Sequence, residues 1–399
     1  MDPDIPIAYA APAQGVAVTP MVPPSAPPAR GLQRGGGSSR VMMPRGKSQR
    51  TLSSHEQKTL EDQGFTKGLI QSMIKNHDSF PLRIWIVDNS GSMSTGDGNR
   101  IIPTKSNTDV KLVKCSRWTE LVETVEYHCQ ISALFELPTV FRLLNDPGVS
   151  GGHQQFSIAE RGSEHVPEDL RIAQQTLRET SPSGVTPLSQ HILEIRANLM
   201  QLRDDLVSTG RKVVIVIATD GLPTDPYGYS NDASRREFQD SLRSLEGLPV
   251  WIVIRLCTDE DDVVDYYNNL DAQLELSLEV LDDFMSEAKE VTEHNPFINY
   301  TLPLHRIREM GFKHRLFDLL DERALSMDEL RDFMILLFGQ DQFDGVPDPQ
   351  VDFEGFLERI SVMVHKENKQ WNPIKKKMDY WIDMKKLKKS FAQGGCTIM

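Results

Sequence analysis

Three short stretches concentrate oxygen donors that could act together. Asp88-Asn89-Ser90-Gly91-Ser92 closes an apolar run and spaces one carboxylate and two hydroxyls by two residues. Beyond a strand end that spacing wraps round a turn, so the three oxygens can point at one spot. Asp220 ends a second apolar run in Ala218-Thr219-Asp220-Gly221, and Ser183-Gly184-Val185-Thr186-Pro187 adds a hydroxyl just before a helical stretch. Few acids among several neutral oxygens suit a hard divalent cation, Mg2+ above all, which keeps part of its own water. Two rival chemistries fail on the residues. Gly91 to Gly96 has the spacing of a phosphate loop, but Asp97-Gly98 follows where Lys and Ser or Thr are required, and an acid there repels phosphate. No GxSxG elbow surrounds Ser90, Ser92 or Ser94, and nothing ties His153 or His191 to a nucleophile. The expectation is a binding protein, not an enzyme.

These residues need a scaffold, and the apolar runs supply one. LRIWIVD (82–88), RKVVIVIATDG (211–221) and PVWIVIRL (249–256) are bounded by turn residues and read as central strands buried on both faces of a parallel sheet. TVFRLL (139–144) and QQFSIAE (154–160) fit two more strands, with helical stretches at 115–135, 167–180, 187–208 and 233–246. Alternation of this kind predicts an α/β fold over 80–290: a doubly wound, mostly parallel, Rossmann-like sheet flanked by helices, with ligands gathered at the carboxyl ends of its strands. Before it, 55–79 reads as a flanking helix whose Leu60, Phe65, Leu69, Ile70, Met73 and Ile74 recur at helical steps, covering an edge of the domain. The polar stretch 94–110 reads as an extended loop beside the site.

On these residues the chain resembles a von Willebrand factor type A domain, whose metal-ion-dependent adhesion site reads DxSxS, then a Thr, then an Asp. The matching positions are Asp88, Ser90, Ser92, Thr186 and Asp220, and the likeness covers roughly 80–290. It implies that the two Ser and the Thr coordinate Mg2+ (or Mn2+ or Ca2+) while the Asp pair holds it directly or through water. An acidic side chain from a protein partner would complete the octahedron. The implied function is divalent-dependent adhesion or adaptor binding. An alternative is a substrate-capturing subunit of a ubiquitin-ligase-like or chelatase-like complex, with catalysis left to a partner because RING cysteines and ATPase motifs are missing.

Composition limits the remaining choices. With 399 residues, 39% of them hydrophobic and 25% charged, the chain can build one or two packed domains. Its net charge of -13 is unevenly placed: residues 1–50 carry six basic side chains against Asp2 and Asp4, and 371–399 carry seven Lys against Asp379 and Asp383. The acidic surplus therefore sits on the body between them, which excludes nucleic acid as its partner. Residues 1–54, rich in Pro and Gly, are expected to be a disordered tail. Cysteines at 115, 129, 257 and 396 form no CxxC, the first residues are acidic and Pro-interrupted, and no apolar run spans a bilayer, so a cytoplasmic protein is expected.

Residues 300–366 read as a small helical region resembling a degenerate EF-hand, with Asp344, Asp348, Asp352 and Glu354 as a possible weak calcium loop. Pro349 stands at the position that requires Gly, and Gly355 where the bidentate acid belongs, so most ligands are lost. A calcium-responsive membrane sensor is the corresponding alternative function. Finally, 367–399 reads as a polybasic tail ending in Cys396-Thr397-Ile398-Met399, a C-a-a-X signal whose terminal Met points to a farnesyl group on Cys396. One lipid chain binds membranes only marginally. The seven Lys would supply the second signal by attracting anionic lipids, giving a peripheral, lipid-anchored protein.

Overall fold

The computed structural model of the protein describes residues 51–103, 110–271 and 273–392. The expected N-terminal tail through residue 50, and Cys396 with its neighbours, lie outside the described residues. In chain order, α1 (Ser54–Asp62) and α2 (Lys67–Ser79) lead into β1 (Leu82–Val87) and a hairpin of β2 (Gly98–Pro103) and β3 (Val110–Cys115). Next come α3 (Arg117–Leu134), β4 (Thr139–Leu143), the single turn α4 (Gly148–Gly151), β5 (Gln155–Ile158), α5 (Val166–Glu179) and α6 (Leu188–Thr209). β6 (Val213–Thr219), α7 (Asp232–Arg243), β7 (Val250–Leu256), α8 (Asp261–Asp271) and β8 (Leu278–Leu281) follow. The remainder comprises α9 (Phe284–His294), α10 (Leu302–Glu309), α11 (Arg315–Glu322), α12 (Met327–Phe338), α13 (Phe353–Lys366), β9 (Gln370–Asn372), β10 (Lys377–Asp379) and α14 (Met384–Ala392).

The central sheet has the order β5-β4-β1-β6-β7-β8. All its pairings are parallel except that of β5 with β4, so the fold is α/β with a six-strand mixed sheet flanked by helices. Every residue of β1, β6 and β7 is buried, as continuous apolar runs require when helices cover both faces. Leu82, Ile84 and Ile86 join the core of α6, α7 and α8, and Trp85 and Val87 that of α3 and α5. From β1 the chain winds outward through β4 to β5, then returns to place β6 on the other side of β1. That reversal lies between β1 and β6, where the carboxyl ends of an open α/β sheet leave a crevice.

The edge strand β8 and the ribbon strand β2 had no counterpart in the sequence reading. β8 is only four residues long, too short for a period to show. The stretch read as a loop at 94–110 contributes β2, half of a two-stranded ribbon whose polar residues alternate too weakly to stand out.

The helices that follow the sheet do not form a separate lobe. Leu60, Leu69, Ile70 and Met73 of α1 and α2 share one core with Phe317, Phe333, Leu337, Phe356 and Ile360. The segment 55–79 is two helices broken at Gly64, whose φ of 94° stops α1, and it belongs to this C-terminal core instead of capping the sheet edge. At Gly68 the backbone of α2 lies against the end of α12 so closely that a Cβ would overlap Leu336 O and Gly339 N.

This helical layer docks on the sheet through α10. Arg308 is buried and reaches Glu279 of β8 at 3.0 Å, Glu287 of α9 at 2.5 Å and Asp321 of α11 at 3.0 Å. Beside it, buried Glu309 meets His128 of α3 at 3.0 Å, Arg255 of β7 at 3.3 Å and Arg306 at 2.8 Å. Burial by itself would raise the Glu309 carboxyl, but Arg306, His305 and His128 outweigh it and hold the group well below the usual range. Gly311, with φ of 75°, lets the chain after α10 touch the sheet where a Cβ would overlap Val214.

The polybasic segment is also folded as far as residue 392. Trp371, Trp381, Ile382 and Leu387 are buried in the helical core, and Asn299 N donates to Trp381 O at 2.9 Å. Lys375 pairs with Asp379 at 2.7 Å and Asp383 at 3.0 Å, and Lys388 reaches Glu354 at 2.8 Å. The reading of 367–399 as one tail is corrected accordingly as far as residue 392: Trp371, Trp381, Ile382 and Leu387 serve the core, while most of the lysines face outward. Among the described residues no helix is long and apolar enough to cross a membrane. Trp381→Ala is expected to cost about 3–5 kcal/mol, the usual range for a buried aromatic. Urea unfolding checks this, and an unchanged midpoint would restore the free-tail picture.

Candidate metal centre

β1 and β6 run side by side with Val87 opposite Ala218, so the residues following each strand emerge together at the crevice. Asp88 N donates to Ala218 O at 2.9 Å, extending the ladder by one bond. The Asp88 carboxylate is then held from two directions, by Thr219 Oγ1 at 2.6 Å and by Ser90 N at 2.8 Å. The second bond is an Asx turn, which bends the chain so that Ser90 and Ser92 fold back over the strand ends. Ser90 Oγ lies 3.0 Å from Ser92 Oγ, and Ser92 Oγ donates to Asp220 Oδ1 at 2.8 Å. Carboxylate, hydroxyl, hydroxyl and carboxylate thus form one connected set across two strands.

The loop before α6 is stitched to the same place by backbone bonds. Gly91 N donates to Gly184 O at 3.3 Å and Ser183 N to Asn89 O at 2.8 Å. Asn145, after β4, donates its Nδ2 to Val185 O at 2.8 Å and exchanges two bonds with Asn89. Gly184 has φ of 90°, and a Cβ there would overlap the Asn145 amide, so no other residue fits. Thr186 N donates to Thr224 Oγ1 at 2.9 Å, and its hydroxyl lies 4.0 Å from the Cβ position of Gly221. All five residues singled out in the sequence therefore border one crevice. Asn89, Asn145, Thr219 and Thr224, which hold the loops in register, were not singled out, because their partners are distant in the chain.

Asp88 and Asp220 are both buried. Burial pushes the Asp88 carboxyl up to about 6, with the charge of Asp220 adding to the effect, and burial raises Asp220 as well. Two buried carboxylates that disfavour their own charge are stabilised by a cation between them. The donor set is hydroxyl and carboxylate oxygen throughout, with no thiolate or imidazole, and fits a hard divalent ion. It contains only two acids. Among the described residues no group of three or more His, Cys, Asp or Glu forms a metal cluster.

The sequence reading placed Arg117 in a helix and gave it no role. The guanidinium is buried at the start of α3 and bonds Asp220 Oδ2 at 3.0 Å, Asp97 at 2.6 Å and 2.8 Å, and Glu260 at 2.6 Å. These partners, Asp97 first, keep its charge firmly in place. Asp97 thus has a task in this chain, as a partner for Arg117. A fixed positive charge consequently touches one of the two acids of the site.

The other candidates are dispersed. Asp344 ends a 3₁₀ turn, Asp348 accepts from Gln350 N at 2.8 Å, Asp352 caps α13 through Gly355 N at 2.9 Å, and Glu354 bonds Lys388. Three of the four acids read as a weak calcium loop thus have bonds of their own in this structure. His191 is buried against Leu144 O at 3.0 Å, and burial lowers its pKa to about 4, so it is a neutral packing residue.

No family model matches the chain, and no curated protein matches it. Among solved structures, a mutant of the PilB minor pilin from Streptococcus sanguinis is similar at 14% identity and a TM-score of 0.33, over 50% of this chain and 56% of that one. The chain thus spans little more than half the length of that pilin.

Arg117 opposes a cation and Gln would not. Arg117→Gln is expected to tighten Mg2+ binding about tenfold, since roughly 1.4 kcal/mol is a modest share of the repulsion between such near charges. Calorimetric titration with Mg2+ measures it; weaker binding in the variant would show that Arg117 helps the ion.

Proposed function

We propose that the protein is a non-enzymatic, divalent-dependent binding module of the von Willebrand factor type A kind, using Mg2+ to capture an acidic side chain on a partner protein. The observation that carries the reading is the hydrogen-bonded set Asp88, Ser90, Ser92 and Asp220 at the reversal between β1 and β6. Thr186 faces the same crevice from a third loop. In this reading Ser90, Ser92 and Thr186 would hold the ion, with Asp88 and Asp220 supplying the negative charge. A Mg2+ ion held there supplies a Lewis-acidic position for a carboxylate. The chain's own part is to fix the donors beforehand: Thr219 orients Asp88, and the Asn89–Asn145 pair holds the Thr186 loop. Preorganised loops reduce the ordering cost of binding.

Asp88→Ala is expected to weaken Mg2+ binding at least about a hundredfold, the upper end of losses seen when even outlying groups of metal sites are removed. Calorimetry with Mg2+ at pH 7.5 checks it, and an unchanged isotherm would refute the metal reading.

The same proposal places the protein at a membrane surface. It rests on the Cys396-Thr397-Ile398-Met399 motif and on the outward Lys385, Lys388 and Lys389 of α14. Leu387 turns the apolar face of that helix inward, so the attraction to anionic lipid would be electrostatic and salt-sensitive, with the farnesyl chain providing insertion. Mass spectrometry of the full chain expressed in eukaryotic cells should show a farnesyl adduct that Cys396→Ser lacks; an unmodified Cys396 would refute the anchor.

A further inference from the structure

The crevice is bordered on one side by a turn that presents two tyrosines to solvent. Tyr227 is 84% exposed and Tyr229 70%, and Val149, on the one-turn helix after β4, is fully exposed. Large apolar side chains standing together in water mark interaction surfaces more often than scattered ones do. The backbone beneath the two tyrosines is fixed. Asp225 Oδ1 accepts from Tyr227 N at 2.9 Å and from Tyr229 N at 3.0 Å, and its Oδ2 accepts from Asn231 Nδ2 at 3.2 Å. Asp225 N donates to Tyr229 O and Gly228 N to Asp225 O, both at 3.0 Å. One carboxylate therefore ties the turn to the start of α7, where Asn231 is the N-cap.

This turn also belongs to the crevice. Gly228, with φ of 87°, packs so that a Cβ would sit 3.0 Å from Val185, the neighbour of Thr186. Val185 is bonded through its carbonyl to Asn145, which follows β4. The tyrosine turn thus flanks the Thr186 side. Across the crevice, beyond β7, the chain exposes Asp259, Glu260, Asp261 and Asp262 in succession, and Glu260 is the one that pairs with Arg117. One rim is aromatic, and the other is acidic.

We propose that this two-sided rim selects the partner: a protein segment whose acidic residue enters the crevice with an apolar or aromatic residue on its Thr186 side and a basic residue on its α8 side. The inference rests on the Mg2+ reading above. Rigid tyrosines give large contact area at little entropic cost, which suits them as anchors, and the acidic rim complements a basic flank while repelling segments acidic throughout.

The probe is a displayed library of twelve-residue peptides with one fixed central Glu and all other positions random, selected on the full chain in Mg2+ and eluted with chelator. The expected result is enrichment of Phe, Tyr, Trp, Leu or Ile on one side of the Glu and of Lys or Arg on the other. Against the best such peptide, the double variant Tyr227→Ser, Tyr229→Ser should bind about thirtyfold more weakly while keeping its chelator sensitivity, in line with the loss of an aromatic hot spot. Asp225 is left intact so that the turn keeps its bonds. Mn2+ binding followed by electron paramagnetic resonance on the same preparations separates the two levels of inference. Normal Mn2+ binding with random flanks, with no chelator-eluted peptides, or with equal affinity in the tyrosine variant overturns the rim proposal and leaves the metal reading standing. Absent Mn2+ binding overturns both.

Discussion

Arg308 and Glu309, neighbours in sequence and both buried, hold the molecule together. A buried ion is tolerated only where partners offset its desolvation, and α10 finds those partners on the sheet, on α3 and on the helices α9 and α11. Arg308 gathers acids from β8, α9 and α11, and Glu309 gathers the cations Arg306 of α10 and Arg255 of β7 together with a hydrogen bond to His128 of α3, whose pKa burial lowers to about 4. Removing either would leave several unpaired charges in a closed layer. This explains why the helices after residue 300 are a second storey on one face of the sheet, and why α1 and α2, far away in sequence, complete the same core.

The crevice benefits from that rigidity at the opposite level of the fold. β1 and β6 are buried throughout and cannot move without disturbing both cores, so their ends offer fixed positions for Asp88 and Asp220. The third loop gains its position from bonds to Asn89 and Asn145 rather than from packing. Fixed donors and two crowded acids make a place that favours positive charge. Arg117 already meets part of that demand at Asp220 and is itself neutralised by Asp97 and Glu260. The charge balance of the crevice therefore extends beyond Asp88 and Asp220, to Asp97 before β2 and to Glu260 at the start of α8.

Much of the sheet was legible because buried parallel strands are uniformly apolar: 82–88, 211–221 and 249–256 were recognisable as runs and match β1, β6 and β7 to within two residues at either end. The placement of the candidate site was legible for a related reason, since acids and hydroxyls directly after apolar runs must sit at strand ends. Less could be read where a residue's role comes from a distant partner. Arg117 looks like any helix-initial arginine until Asp220 and Glu260, more than 100 residues away in the chain, are brought to it. The lysine-rich C-terminal segment misled in the opposite way: its charges suggested a tail, while Trp371, Trp381 and Leu387 between them were core residues of a unit whose other half begins at Ser54.

By itself the sequence determined the alternation of strand and helix and the chemical type of the candidate donors, because both depend on local order: the period of apolar residues, and which side chains follow a strand. Tertiary structure alone decided which loops meet at the crevice and that residues 370–392 close the helical core. Those outcomes depend on pairings between remote residues, whose free energy comes from burial and charge neutralisation that no single stretch of chain can supply.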